Sequence, residues 1–232
     1  MNVARPLPAA KRPAASLSER AYLVIRDRIL KGDLRLGASL SRRKLAAELQ
    51  MSLVPVAEAL QRLETEGLVE SQPRIGTRVF LPTAQEIRER YEVREALEAH
   101  AARLFSQHAG DKQRQEMQNK AEQMDALFNR CSAGGENNAE FLYAVHRYHM
   151  QLHLRLAECT ECSALCQAIE KNHVLVFNWL FDVAARRPPL PPRFHRDLME
   201  AISEGDPDQA DRAMRKHIRY GLENVVRTLL ET

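Results

Sequence analysis

The chain has 232 residues, 44% of them hydrophobic, with 34 Lys+Arg against 31 Asp+Glu and a formal net charge of +3. That apolar content suffices for one large core or two ordinary ones, and two domains are expected. No run nears the roughly 18 apolar residues of a membrane span, and the first residues lack the apolar stretch of a secretory signal, so a soluble cytoplasmic protein with no membrane partner is expected.

The charge is unevenly divided. Residues 1–82 hold 14 Lys+Arg against 8 Asp+Glu, a net +6, whereas residues 83–232 hold 20 against 23, a net −3. A polyanionic partner is therefore expected at the N-terminal third. Residues 1–17, rich in Pro and Ala without periodicity, read as a disordered arm. From Ser18 the segment "ERAYLVIRDRILKG" places Tyr22, Ile25, Ile29 and Leu30 on one stripe and stops at Gly32. Ser41 is a candidate N-cap for a second helix with Leu45, Ala46 and Leu49 at helical spacing. A third helix starts near Ser52, tolerates Pro55 in its first turn and ends at Gly67. "LVESQPRIGTRVFL" reads as two short strands around a Pro/Gly turn. Three helices and a β-hairpin on the basic side make residues 18–82 a winged helix-turn-helix, the second and third helices joined tightly through "QMS".

Residues 83–232 carry helical patterns almost throughout. The first, ending at Gly110, has Ile87, Tyr91, Leu97, Ala101 and Leu104 near helical spacing. The second is "DKQRQEMQNKAEQMDALFNRC", the third begins near Ala139, and the fourth is "CSALCQAIEKNHVLVFNWLFDVA". The fifth is "RFHRDLMEAISEG", and the sixth runs from Pro207, N-capped by Asp206, to about Leu230. The fold class is thus mainly α: an N-terminal winged helix-turn-helix plus a C-terminal all-α six-helix bundle.

Two sequence features suggest metal chemistry. Cys159, Cys162 and Cys166 fall within eight positions, but with Cys131 in another segment they read as small structural thiols in a reducing compartment. "AVHRYHMQLH" carries His146, His149 and His153. Leu142, Val145, His149, Leu152 and Leu156 follow a buried stripe, which turns His149 inward with His153 one turn later. On the sixth helix of the bundle Ala210, Ala213, Met214, His217 and Gly221 share a face, and on the fifth His195 shares one with Leu198, Met199 and Ile202. Four inward imidazoles, His149, His153, His195 and His217, could hold one ion, because burying them without shared chemistry would leave polar nitrogens unsatisfied. His146 reads as peripheral.

"LSRRKLAAELQMSLVPVAEALQRLETEGLVESQPRIGTRVF" resembles the N-terminal domain of the GntR superfamily of bacterial transcription regulators, closest to its FadR-like branch. "LHLRLAEC" and "HRDLMEAISEGDPDQADRAMRKHI" resemble segments of that branch's FCD-type effector domain. The resemblance implies a homodimer binding a double-stranded DNA operator, and a divalent metal at the floor of a cavity for a small carboxylate metabolite. Its three metal-binding histidines fall on His153, His195 and His217, and its acidic ligand position falls on His149. Imidazole in place of carboxylate shifts the preference toward Zn²⁺, with Ni²⁺ second, and leaves the ion's charge undiminished. Arg94 matches a cavity position; an i,i+4 ion pair with Glu98 is the alternative. Two arginines usual in the family's recognition helix are replaced by Leu53 and Ala57, which removes the direct reading of guanine. Arg43 matches a contact position of the family, and Lys44, Ser52, Arg62, Arg74 and Arg78 remain for phosphates, with Gly76 and Thr77 at the wing tip.

The leading expectation is a metabolite-responsive regulator. A variant makes the metal itself the signal. Two other classes are an interaction module without DNA binding and a metalloenzyme. The latter is disfavoured because only one Glu-x-x-His pair, Glu170 and His173, is present where a di-iron bundle needs two.

Overall fold

The computed structural model describes residues 16–72, 74, 76–132, 138–184 and 190–230. The expected arm thus lies outside the described residues up to position 15. Helix α1 spans Leu17–Leu30, one residue earlier than the sequence pattern suggests, because Ser16 supplies the cap: its side chain accepts from the Glu19 amide. After a turn at Gly32 (φ +78°) comes β1, Ser39–Leu40.

Helix α2 (Arg42–Leu49) is capped by Ser41, whose hydroxyl accepts from the Lys44 amide. It ends at Gln50 in the left-handed region (φ 53°), where the Gln50 and Met51 amides reach back to the Ala47 and Ala46 carbonyls. That closure is the corner of the helix-turn-helix. Helix α3 (Leu53–Thr65) follows at once and buries Val56, Ala59, Leu60 and Leu63 against α1. Strands β2 (Val69–Gln72) and β3 (Gly76–Val79) form the expected wing.

The sheet has three strands, not two, in the order β1-β3-β2, all antiparallel, with Ser39 opposite Arg78 and Val69 opposite Val79. A two-residue strand has no alternation to detect. β1 forms only because β3 offers an open edge to pair with.

The rest of the chain is helical: α4 (Ala84–His108), α5 (Asp111–Ser132), α6 (Ala139–Glu158), α7 (Ser163–Ala184), α8 (Phe194–Ser203) and α9 (Pro207–Leu230). Thr83 and Glu86 form a reciprocal capping box at the start of α4. α4 lies along α9 and also meets α6, α7 and α8, so it is the spine of the bundle. Its buried stripe is rotated from the expected one. Leu97 and Leu104 are only partly buried, while Ile87, Tyr91, Arg94, Glu98, Ala101 and Phe105 face inward. α1 packs on α7, and Tyr143 of α6 reaches Asp27, so the two parts of the chain touch. No described helix is long and apolar enough to cross a membrane.

Leu63 is fully buried at the α1–α3 seam. Leu63→Ala is expected to destabilise the winged helix-turn-helix by about 2–5 kcal/mol through lost burial and a residual cavity, read as a lower urea midpoint. An unchanged midpoint would show that the seam relaxes around the smaller side chain.

Candidate functional site

Three helices converge on one buried point. The Nε2 atoms of His153 and His149 on α6 are 3.0 Å apart, and His217 on α9 places its Nε2 3.3 Å from that of His153. One ligand nitrogen from each lies within 4.8 Å of the other two, and all three residues are buried. His195 on α8 completes the ring of imidazoles, its centroid 5.0 Å from that of His149 and 5.3 Å from that of His217. It does not enter the tight group of three. Phe128 stacks on His195 and Phe194 on His217, which gives the cluster apolar walls. His146 is buried too, edge-on to Phe128, and stands outside the group.

Two buried carboxylates stand behind the imidazoles, and the sequence reading assigned neither to this site. Glu98 Oε2 lies 2.5 Å from His153 Nδ1, while its Oε1 takes Arg94 Nε at 2.6 Å and His173 Nε2 at 2.7 Å. Asp125 on α5 accepts from His195 Nδ1 (2.8 Å) and from the His195 and Arg196 amides, so it caps α8 from another helix. The signal for both was present: Glu98 and Asp125 sit on inward stripes, where a lone carboxylate needs a partner. His173, noted for its spacing from Glu170, instead belongs to the Glu98 group.

These carboxylates dispose the ring protons. With a proton on Nδ1 facing each carboxylate, the Nε2 lone pairs of His153 and His195 point away from it. His195 Nε2 is buried and has no hydrogen-bond partner among the described residues, and the same holds for Nδ1 of His149 and His217. If His149 and His217 both donated from Nε2 to His153, their bare Nδ1 lone pairs would stay buried at a cost. A tetrahedral ion at about 2.0–2.1 Å from each nitrogen would separate the nitrogens by roughly 3.3 Å. The two Nε2 spacings to His153, 3.0 and 3.3 Å, fit it, as does a donor set made of imidazoles alone.

Burial is the main reason the cluster stays neutral. It pushes His153 down to about 4 against the opposing pull of Glu98. It pushes His149 and His217 well below the usual histidine range, reinforced by the other imidazoles. For Glu98, burial raises the carboxyl, but Arg94 and then His153 and His173 outweigh it and hold it well below the usual range. Beside the imidazoles is a cavity of about 30 Å³ lined by Tyr91, Arg94, His149, His195, His217 and Asn224 among others. Arg94 is 3% exposed, and its Nη2 is buried without a hydrogen-bond partner among the described residues. Arg94 thus pairs with Glu98, inside the bundle and not on the surface as the alternative had it, and also lines the cavity.

At the other end of the molecule, Arg43, Lys44, Ser52, Arg74 and Gly76 are exposed. Arg62 is committed inside the domain: its guanidinium stacks 3.6 Å from the Tyr22 ring and pairs with Glu19 and Glu66. Thr77 is buried, its hydroxyl on Ser71. Arg78 pairs with Glu70 across the hairpin. Cys159 is buried near the α6–α7 corner, Cys166 is half-buried and Cys162 exposed.

Residues 17–79 match the family "Bacterial regulatory proteins, gntR family", and residues 89–220 match the FCD domain. The chain is 29% identical over 192 residues, 82% of its own length and 80% of the relative's, to the "Probable D-xylose utilization operon transcriptional repressor" of Paenarthrobacter nicotinovorans. Its fold is similar to that of a transcriptional regulator, GntR, from Rhodococcus sp. RHA1 (TM-score 0.72, 22% identity, 90% of this chain and 96% of the other). It is likewise similar to E. coli McbR/YncC (TM-score 0.71, 21% identity, 92% and 99%).

The depressed histidines carry a stability consequence. Unfolded His153 takes a proton near 6.5 and folded His153 only near 4, so between those values the unfolded state binds more protons and stability falls as pH falls. His149 and His217 act with the same sign, and Glu98 extends the loss below the usual carboxylate range. Urea unfolding of the chelator-treated protein should lose a few kcal/mol between about pH 6.5 and 4. A flat profile over that window would contradict neutral buried imidazoles.

Proposed function

As a member of the gntR family carrying an FCD domain, the chain is a DNA-binding transcription regulator, not an enzyme, and we propose that its bundle binds one divalent cation through His149, His153, His195 and His217. Zinc is the ion of choice and nickel the second. The observation that carries this reading is the buried convergence of one ring nitrogen each from His149, His153 and His217 within 4.8 Å, with a carboxylate behind His153. His195, oriented by Asp125, supplies the fourth nitrogen.

When bound, the cation supplies a fixed positive charge that attracts an anion. The anion is a small carboxylate effector, and Arg94 receives it with the guanidinium nitrogen that Glu98 leaves over. The cavity's 30 Å³ has room for about two water-sized groups, the size of a carboxylate head. Glu98 joins His153 on α6 to His173 on α7, and α7 packs on α1, so a shift of His153 has a path of packed contacts to the DNA-binding end. The effector needs only unequal affinity for two arrangements of that path.

Two copies pair as a homodimer in the cytoplasm and set two winged helices on a pseudo-palindromic operator. Arg43, Lys44, Ser52, Arg74 and Gly76 are best placed for its phosphates, with Arg78 able to join if it leaves Glu70. The residues before the Ser16 cap, the winged helix-turn-helix up to residue 82 and the bundle of 83–232 then serve as arm, reader and sensor. Repression is the expected direction, as the name of the Paenarthrobacter relative says of that protein. A second reading makes the metal itself the signal. It is favoured by the cavity, which is far smaller than the several hundred Å³ of an ordinary ligand pocket.

The purified protein is expected to retain about one zinc per chain by elemental analysis. His153→Ala or His217→Ala should abolish retention, and Glu98→Gln should weaken it about 10–100-fold through the lost support of His153. His149→Asp should keep a site but favour harder ions such as Mn²⁺. Titration of the region upstream of its own gene by fluorescence anisotropy separates the readings. A response to zinc that no carboxylate modifies selects metal sensing, and absence of retained metal in the wild type overturns both.

A further inference from the structure

The recognition helix offers no cation to the base edges. Along α3 the inward side is Val56, Ala59, Leu60 and Leu63, and the outward residues of the first two turns are Leu53, Val54, Ala57, Glu58 and Gln61. Leu53 is 50% and Val54 65% exposed, two of the largest apolar exposures in the described chain, and they are adjacent at the helix start. Ser52, at the N-cap, makes no side-chain cap hydrogen bond, so its hydroxyl is not spent on the helix. The arginine of α3, Arg62, is tied to Tyr22, Glu19 and Glu66.

Positive charge lies on either side of this apolar tip. Arg42, Arg43 and Lys44 open α2, and Arg74 lies on the wing. In a helix-turn-helix the first residues of the second helix approach the base edges, while flanking cations meet phosphates. A helix tip with cations at its rim and aliphatic groups at its centre fits an anionic partner whose reading surface carries apolar groups. In the major groove one such group exists, the 5-methyl of thymine.

We propose that Leu53 and Val54 are specificity-determining residues that select the operator by packing on thymine methyl groups. The half-site under each α3 start then contains A·T pairs with thymine on the strand facing the helix, and guanine is not read there. This rests on the DNA-binding reading above, and the experiment distinguishes failure of one from failure of the other.

Duplexes retained by the full-length protein from a randomised pool are sequenced, and the best is remade with uracil in place of thymine at each half-site position in turn. Uracil removes the methyl and keeps the pairing. Binding by the wild type should weaken about fourfold for each methyl lost at the positions under the helix. In the Leu53→Ala/Val54→Ala double variant, whose exposed positions leave the core untouched, the thymine–uracil difference should vanish. Leu53→Arg should bring guanine into the selected half-site. Equal wild-type affinity for thymine and uracil duplexes, or an undiminished difference in the double variant, overturns the proposal while leaving DNA binding intact. Retention of no duplex over bulk competitor at low salt overturns both.

Discussion

The Glu98 carboxylate is the constraint around which the bundle is organised. It is 2% exposed, and a carboxylate so placed must be compensated from every side. Arg94 comes from its own helix, His153 from α6 and His173 from α7, so one charge fixes the mutual placement of three helices. The same contacts give His153 its orientation. The convergence of imidazole nitrogens on one point thereby follows from an electrostatic requirement of the core.

Asp125 does a parallel job with fewer partners. Helix α8 has no side-chain cap of its own, and Arg193 at its N-cap position makes no capping bond. Asp125 takes the free amides of His195 and Arg196 and, with the same carboxylate, His195 Nδ1. The start of α8 and the pose of its histidine are therefore set together. Aromatic rings from α5 and α8 close the remaining sides, and burial keeps the imidazoles neutral.

The DNA-binding part follows a different economy. Its cations divide between holding the domain together and facing outward. Arg62 locks α3 to α1 over the Tyr22 ring, and Arg78 bridges the hairpin. Arg43, Lys44 and Arg74 stay exposed. The 14 Lys+Arg of residues 1–82 thus overstate the cations available to a duplex, since some of them are paired within the fold.

Much of this was legible in the sequence, because helices are local. The stripe Leu142, Val145, His149, Leu152 and Leu156, the caps at Ser41 and the Gly67 stop all read from neighbouring residues, and so did the inward turn of His149 and His217. That Leu53 and Ala57 stand where the resembled family has arginines is likewise legible in the sequence. What linear order could not supply was partnership between elements. β1 exists only against β3, and the α4 stripe is rotated to bury Arg94 and Glu98 because His153 of α6 and His173 of α7 lie opposite. Asp125 meets His195 70 positions away. Periodicity reports which side of a helix is buried; the tertiary structure decides what that side is buried against, and for a charged or polar group that decides its role.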